Sequence, residues 1–279
     1  MRSVLITGAS TGIGRAAALR LDADGWRVYA GVRKQEDAEA LRAVGSERLT
    51  PLILDVTDAG QIAAAAGRIE TESPAGLDGL VNNAGVAIPG PLETLPLEDF
   101  RRQVEVNLTA QVAVTQAMLP LIRQARGRVV FIASIGGRIA FPLNGAYHAA
   151  KFGLEAVGDV FRQELRPWGI SVSVIEPGSI DTPIWERGER NAEEIEARAH
   201  PNQEALYGEA IASFRGVVKK LAAKGIPPEK VAAAIAHALE SRRPRTRYLV
   251  GLDAKLQARL KLVIPTRLFD RIIAGQMNL

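Results

Sequence analysis

The stretch "SVLITGASTGIG", residues 3–14, joins a short apolar run to a turn that contains three glycines. The run has the composition of a β-strand, and the alanine-rich stretch from Gly12 to Asp24 has that of a helix. Glycines at such a junction let a phosphate approach the backbone, and the free N–H groups of a helix N-terminus bind anions. We therefore predict that Gly8, Gly12 and Gly14 hold the pyrophosphate of a dinucleotide. A tight turn without a ligand is the alternative.

The same alternation of strand and helix continues along the chain. The later strand candidates are "RVYAGV", "LTPLILDV", "LDGLVNNAG", "GRVVFIAS", "ISVSVIEPG" and "RYLVG". Most are nearly continuous in Val, Ile and Leu, which is typical of strands covered on both faces. The pattern predicts an α/β fold: a single-domain Rossmann-type, doubly wound parallel sheet of about seven strands, flanked by helices on both faces.

Two segments depart from this alternation. Residues 184–225 are polar, charged and broadly helical, and we expect them to fold over the substrate as a mobile lid. The tail, residues 252–279, is amphipathic and basic. It is predicted to lie on a membrane surface, against a partner subunit or on its own domain. No linker or repeat separates these segments from the rest, so we predict one domain over residues 1–279.

Composition excludes several classes of protein. The chain has 47% hydrophobic and 24% charged residues, as an ordinary globular protein does. It has no cysteine, and its three histidines lack metal-ligand spacing, so we predict no metal site. A net charge of +4 with interleaved acids argues against nucleic-acid binding. The apolar runs are too short for a signal peptide or a membrane span, which predicts a cytoplasmic protein without a transmembrane segment.

The end of the second strand candidate bears on the choice of nucleotide. An acidic residue there would bind the ribose 2′-hydroxyl of NAD, but the sequence has Val32, Arg33 and Lys34 instead. These cations favour the 2′-phosphate, so we predict NADP(H) over NAD(H); two solvated cations in a loop are the alternative. Asp55 closes the third strand candidate. It is predicted to bind the adenine amino group or to cap the next helix.

Tyr147 and Lys151 lie four residues apart in "GAYHAAKFG", residues 145–153, and so share one face of a helix. The tyrosine pKa must fall by roughly three units, about 4 kcal/mol, for proton exchange near neutral pH. A nearby ammonium and an oxidised nicotinamide both favour the phenolate. We predict that Tyr147 is the general acid for a carbonyl oxygen that Ser134 also binds. Simple packing of the ring beside a solvated lysine is the alternative.

Seven short motifs in order resemble one family. They are "TGASTGIG", "LDV", "NNAG" at 82–85, "VNL" around Asn107, Ser134 thirteen residues before the tyrosine, "YHAAK" and "EPG" at 176–178. From residue 3 to about 183 the chain resembles the short-chain dehydrogenase/reductase family, in its single-domain Tyr-x-x-x-Lys form. It is most similar to the branch of retinol dehydrogenases, 17β-hydroxysteroid dehydrogenases and 3-hydroxybutyrate dehydrogenase, which uses both NAD and NADP.

The resemblance implies roles for individual residues. It implies a catalytic tetrad of Asn107, Ser134, Tyr147 and Lys151, in which Asn107 supports a proton-relaying water. It also implies a homodimer or homotetramer formed through helices near 98–125 and 146–166. The expected cofactor-binding residues are Gly8, Ser10, Thr11, Gly12, Ile13, Gly14, Arg33, Asp55, Val56, Asn83, Ala84, Gly85, Tyr147, Lys151, Pro177, Gly178, Ile180 and Thr182.

The predicted substrate wall is apolar. Beside Ser134 and Tyr147 it comprises Ile135, Gly136, Phe141, Leu143, Ile184 and Trp185, with Val86 and Ile88 opposite and Arg138 nearby. Several of these residues are ordinary core on the alternative interpretation. We predict an NAD(P)-dependent oxidoreductase acting on an apolar secondary alcohol or ketone of steroid, retinoid or lipid type. The alternatives are a non-catalytic nucleotide-binding sensor or scaffold, and a dehydratase or epimerase on the same fold.

Overall fold

The strand candidates form one parallel sheet in the computed structural model, which describes residues 1–196 and 202–277. The strands are β1 (Ser3–Ile6), β2 (Arg27–Val32), β3 (Leu49–Ile53), β4 (Gly79–Asn82), β5 (Arg128–Ile132), β6 (Ser171–Pro177) and β7 (Arg247–Val250). Their order is β3-β2-β1-β4-β5-β6-β7, and every neighbouring pair is parallel. The predicted seven-stranded doubly wound sheet is therefore confirmed.

Helices cover both faces of the sheet. They are α1 (Gly12–Ala23), α2 (Gln35–Arg42), α3 (Ala59–Glu72), α4 (Leu97–Val104), α5 (Ala110–Ala125), α6 (Gly145–Glu164), α7 (Ile184–Glu196), α8 (Gln203–Ala223), α9 (Glu229–Glu240), α10 (Leu252–Val263) and α11 (Thr266–Met277). Buried side chains of α1, α2 and α9 pack on one face, and those of α3, α5 and α6 pack on the other. Burial on both faces explains why the strands are almost continuously apolar.

The long helix expected near residues 98–125 is interrupted. Between α4 and α5 the backbone forms a π-helical segment, Glu105–Thr109. Such a segment inserts an extra residue into the helix and commonly marks a functional site. Here it buries Asn107, whose amide accepts a hydrogen bond from the Val86 N–H at 2.8 Å and donates one to the Val86 carbonyl at 2.8 Å. The π-helical segment thus fixes the loop after β4.

The C-terminal part is helical. The predicted lid corresponds to α7 and α8, although residues 197–201 lie outside the described residues. The tail forms α10 and α11, which Pro265 separates, and residues 278–279 lie outside the described part. Ala254, Ala258 and Ile273 are buried against the rest of the chain. Over the described ranges, no helix combines the length and apolarity that a bilayer crossing requires.

The sheet places the polar residues of interest at one edge. In a parallel sheet all carboxyl ends lie on the same side, and ligands bind where the strand order reverses. That reversal falls between β1 and β4. Thr7, Arg33, Asn83, Ser134 and Gly178 each follow the end of a different strand, so the fold collects them at this edge.

Candidate active site

A cavity of about 1020 Å³ lies at the carboxyl edge of the sheet. Most residues predicted above to be catalytic or to bind cofactor or substrate line this cavity; the exceptions are Gly14, Ile88 and Asn107, and the two cations Lys34 and Arg138. The glycine turn, Arg33 and Asp55 lie on its wall, as do Ser134, Tyr147 and Lys151. Residues from opposite halves of the sequence are therefore brought together in one site.

Three predicted residues lie behind the wall. A Cβ at Gly14 would collide with the Gly8 carbonyl, so Gly14 lets helix α1 pack against its own turn. Asn107 is fully buried and reaches the site only through Val86 and Gly85. Ile88 belongs to a separate apolar cluster with Leu95, Ala146 and Ile195.

The glycine turn presents uncapped helix donors to the cavity. Gly8 has a φ of +65°, and a Cβ there would lie 2.9 Å from the Ala84 Cα. Asn83 holds the turn by donating to the Thr7 and Gly8 carbonyls at 2.9 and 3.0 Å. Thr11 is the N-cap of α1, but its side chain makes no capping bond and the first turn has no acidic residue. A helix N-terminus in this state suits a phosphate, so these residues fit a dinucleotide.

Two cations follow β2, and only one reaches the cavity. Lys34 is absent from the wall and pairs with Glu36, with 2.8 Å between Nζ and Oε1. The exposed Arg33 lines the cavity and has no hydrogen-bond or ion-pair partner among residues 1–196 and 202–277. Asp55 is not the cap of α3, because Asp58 fills that position and accepts from the Gln61 N–H. Asp55 instead accepts from Thr57 and faces the cavity.

The tyrosine, serine and lysine are positioned by different elements. Tyr147 and Lys151 lie one turn apart on α6, and the Lys151 Nζ is 5.7 Å from the Tyr147 ring centroid. Lys151 donates to the Ile132 carbonyl at 2.8 Å, which ties the helix to the end of β5. Ser134 follows that strand, accepts from the Gly136 N–H at 3.0 Å and lies near enough to Tyr147 for its hydroxyl to lower the tyrosine pKa. A hydroxyl pair and an ammonium thus face one cavity.

Burial dominates the electrostatics of this group. Burial raises the pKa of Tyr147 above its usual value, and the Ser134 hydroxyl offsets part of this rise. This direction is opposite to the lowering anticipated from the neighbouring charges, because burial disfavours the phenolate. Burial also lowers the pKa of Lys151 to about 8, against the opposing pull of Glu155 one turn away. Tyr147 is therefore a neutral phenol at neutral pH, in the state that donates a proton.

Arg138, the cation predicted near the substrate wall, forms an ion pair away from the cavity. It binds the fully buried Glu176, with 2.7 Å between Nε and Oε2, and does not line the cavity. Arg247 reaches the same carboxylate at 3.2 Å and Glu155 at 3.0 Å. Burial, followed by the charge of Glu176, raises the pKa of Glu155 to about 7. Arg138 is thus part of an ionic cluster behind α6.

Several wall residues were missed by sequence reasoning. Helices α8 and α11 contribute an apolar wall that includes Phe214, Phe269 and Ile273. Arg187 of α7 donates to the Thr11 hydroxyl at 3.1 Å and so joins the first lid helix to the glycine turn. The polar side chains of Asn144 and Gln257 also line the cavity. A pattern of apolar residues in the sequence does not distinguish a cavity wall from a hydrophobic core. No sequence motif marks Arg187, Asn144 or Gln257.

A model of the short chain dehydrogenase family matches residues 2–193. The chain belongs to this family. Human (Homo sapiens) retinol dehydrogenase 5 is 42% identical to this short-chain dehydrogenase, over 97% of the chain and 87% of the relative. The 17-beta-hydroxysteroid dehydrogenase type 6 of Bos taurus is 38% identical, over 97% of the chain and 87% of the relative. The predicted branch is therefore confirmed.

Other relatives of this short-chain dehydrogenase are bacterial. The NADPH-dependent 3-dehydrocapnine reductase of Ornithobacterium rhinotracheale is 34% identical, over 98% of this chain and 96% of the relative. A short-chain dehydrogenase from Streptomyces avermitilis has 31% identity and a TM-score of 0.78, covering 99% of this chain and 95% of its own. One from Burkholderia cenocepacia J2315, in complex with NADP, has 26% identity and a TM-score of 0.74, covering 97% and 98%. The chain is thus an oxidoreductase for CH–OH donors with NAD(P) as acceptor.

Proposed function

We propose that this short-chain dehydrogenase interconverts an apolar secondary alcohol and its ketone with a preference for NADP(H). The observation that carries the proposal is the composition of the cavity wall. Uncapped helix donors and Arg33 lie on it together with Ser134, Tyr147 and Lys151, and aromatic and aliphatic side chains complete it. A dinucleotide and an apolar substrate have complementary surfaces there.

The proton-transfer roles follow from position and pKa. When bound, the nicotinamide cofactor supplies or accepts the hydride. Tyr147, as a neutral phenol, donates its proton to the carbonyl oxygen in reduction and takes it back in oxidation. Ser134 donates a hydrogen bond to the same oxygen and orients it. Lys151 holds its ammonium beside the Tyr147 ring, where it stabilises the phenolate that remains after proton transfer.

The substrate class follows from the rest of the wall. Phe141, Trp185, Phe214 and Ile273 contribute aromatic or aliphatic surface, and Arg138 is held by Glu176. A steroid-, retinoid- or lipid-like molecule buries enough apolar area to bind there, whereas a short hydroxy acid does not. The names of the retinol and hydroxysteroid dehydrogenases support the same class. We also propose that residues 184–225 act as the lid, with Arg187 as its contact with the glycine turn.

The nucleotide preference is tested by Arg33. We expect NADPH to bind at least about tenfold more tightly than NADH, about 1.4 kcal/mol. Arg33→Gln removes most of that difference by weakening NADPH binding alone, because its guanidinium has no other ionic partner in the described part of the chain. Lys34→Gln is the matched control, since Lys34 pairs with Glu36. Nicotinamide fluorescence at fixed salt measures all the affinities, and tighter binding of NADH by the wild type contradicts the proposal.

The proton donor is tested by removing one oxygen atom. Tyr147→Phe keeps the ring and should lower kcat by about two to four orders of magnitude while nucleotide affinity stays within about twofold. Stoichiometric consumption of NADPH with a steroid ketone or a retinoid aldehyde establishes the redox reaction. Net turnover without cofactor consumption indicates a dehydratase or epimerase, and unchanged function in Tyr147→Phe indicates a sensor.

Residence in the cytoplasm and membrane contact by the tail stay predictions, which cell fractionation addresses.

A further inference from the structure

Arg187, on the first lid helix, places a guanidinium beside the glycine turn. Its Nη2 donates to the Thr11 hydroxyl at 3.1 Å, and both residues line the cavity. Arg187 is exposed and forms no ion pair with any residue in the described part of the chain. A guanidinium carries several N–H donors in a planar fork, so the bond to Thr11 leaves the others for a ligand. Arg187 is thus an accessible cation at the point where the glycine turn enters α1.

The charges around this guanidinium are not balanced by an acid. Thr11 is the N-cap of α1, where the helix dipole places a partial positive charge, and the first turn of α1 has no acidic residue. A cation near a helix N-terminus is unfavourable, whereas an anion there is favourable. An anion bound at this point would therefore be attracted both by the helix and by Arg187.

Helix α7 holds Arg187 in this position through contacts on either side of it. A Cβ at Gly12 would lie 3.0 Å from the Thr182 Cγ2, so the chain packs directly on the glycine turn just before α7 begins. Further along the helix, the Asn191 amide donates to the Ala87 carbonyl at 2.7 Å. A charged group held on a helix is better preorganised for its ligand than one on a loop.

We propose that Arg187 binds the pyrophosphate of the cofactor together with the N–H groups of the glycine turn. An anion bound by the N–H groups that follow Thr11 lies beside the guanidinium, whose fork matches the oxygens of a phosphate. The same contact joins α7 to the nucleotide. The inference rests on the nucleotide binding of the proposed function. It does not depend on the substrate or on the choice between NADP(H) and NAD(H), because both nucleotides contain the pyrophosphate.

The test separates the phosphates of the nucleotide. ADP-ribose carries the pyrophosphate without a 2′-phosphate or a nicotinamide, and adenosine 2′-phosphate carries the 2′-phosphate without a pyrophosphate. Nicotinamide fluorescence measures the binding of NADPH and NADH, and isothermal titration calorimetry measures the two fragments at the same fixed salt.

The proteins are the wild type, Arg187→Gln, Arg187→Lys and the control Arg190→Gln. Arg190 is exposed on the same helix and lines the same cavity. It makes no hydrogen bond or ion pair with the glycine turn, which lies wholly within the described residues. Arg190→Gln therefore removes the same charge from α7 without removing the contact.

We expect Arg187→Gln to bind NADPH, NADH and ADP-ribose about tenfold more weakly than the wild type, and adenosine 2′-phosphate within about twofold. Arg187→Lys keeps the charge but not the fork, so its affinities should lie between those of the wild type and Arg187→Gln. Arg190→Gln should bind every ligand within about twofold of the wild type. Arg33→Gln should show the opposite selectivity, with weaker binding of NADPH and adenosine 2′-phosphate alone.

Three results overturn the inference. The first is wild-type affinity for ADP-ribose in Arg187→Gln, which would mean that the bond to Thr11 only joins α7 to the turn. The second is an equal loss for adenosine 2′-phosphate, which would mean that the substitution disturbs the whole nucleotide site. The third is an equal loss in Arg190→Gln, which would mean that the net charge of α7 attracts the nucleotide.

Turnover is measured separately from binding. A protein in which Arg187→Gln weakens ADP-ribose selectively, but which reduces no carbonyl compound, contradicts the proposed function and leaves the Arg187 contact standing. Conversely, a wild type that reduces a steroid ketone while Arg187→Gln binds ADP-ribose normally contradicts the Arg187 contact alone.

Discussion

His148 lies next to Tyr147, the predicted proton donor. Its ring hydrogen-bonds the loop between β5 and α6 and so joins this loop to α6. Its Nε2 accepts from the Phe141 N–H at 3.0 Å, so Nδ1 carries the proton and donates to the Gly136 carbonyl at 2.8 Å. Burial lowers the pKa of His148, which keeps the ring neutral. Sequence predicted Tyr147 and Lys151 because four-residue spacing on a helix is a local property. It missed His148 because the partners are backbone atoms of the preceding loop, Gly136 and Phe141, and backbone atoms leave no mark in the sequence.

The neutral imidazole predicts a pH dependence of stability. The unfolded chain protonates this histidine below about pH 6.5, while the folded chain resists protonation to a lower pH. The contribution of His148 to the free energy of unfolding is therefore complete above its pKa in the unfolded chain. It is lost as the pH falls towards the lower pKa of His148 in the folded chain. We expect wild-type protein to lose up to about 1 kcal/mol more unfolding free energy than His148→Leu between about pH 7.5 and 5.5. Urea unfolding at both pH values measures this, and parallel losses in the two proteins would refute it.

At the scale of elements, close packing of α6 on the sheet depends on a residue without a side chain. A Cβ at Gly158 would lie 2.5 Å from the Val174 Cγ2 of β6. The sequence predicted a helix near residues 146–166 with Tyr147 and Lys151 on one face, and α6 spans Gly145–Glu164. The sequence did not predict the π-helical segment between α4 and α5, because that segment depends on hydrogen bonds from Asn107 to Val86 across the fold.

A pair of glycine substitutions tests the packing of α6. Gly158→Ala should lower the free energy of unfolding by about 1 to 3 kcal/mol, because the added methyl group forces the helix away from the strand. Gly67→Ala on α3 is the matched control, with nothing within 4 Å of its Cβ, and should raise stability by about 0.4 to 1 kcal/mol. Urea unfolding of the two variants gives both values. Equal changes in unfolding free energy for the two variants would show that helix propensity alone, and not the packing of α6 on β6, determines the effect of Gly158→Ala.

At the scale of the molecule, the outer face of α6 is apolar. Ala149, Phe152, Ala156 and Val160 are exposed at helical spacing, and the Phe152 and Val160 side chains are 43% and 49% exposed. A stripe of this kind on a helix is a typical subunit interface. We therefore retain the prediction of a homodimer or homotetramer and place its contact on this face.

Charge on that stripe should separate the subunits. We expect light scattering during size-exclusion chromatography to give a dimer or tetramer for the wild type and a monomer for Phe152→Glu combined with Val160→Glu. Val44→Glu is the control, because Val44 is 53% exposed elsewhere on the surface. A wild type that stays monomeric at high concentration, or a double variant that keeps the wild-type mass, contradicts the assignment.

The residues proposed for the chemistry and those proposed for substrate binding lie in different stretches of the chain. The residues proposed for proton transfer lie in the loop after β5 and on α6, whereas much of the apolar wall of the cavity lies on α8, α10 and α11, beyond the family match that ends at residue 193. In a duplicated gene, mutations in the later stretch would replace the molecule that is recognised while the reaction itself is inherited intact. Evolution of new substrates on this scaffold is therefore expected to begin in the last third of the sequence.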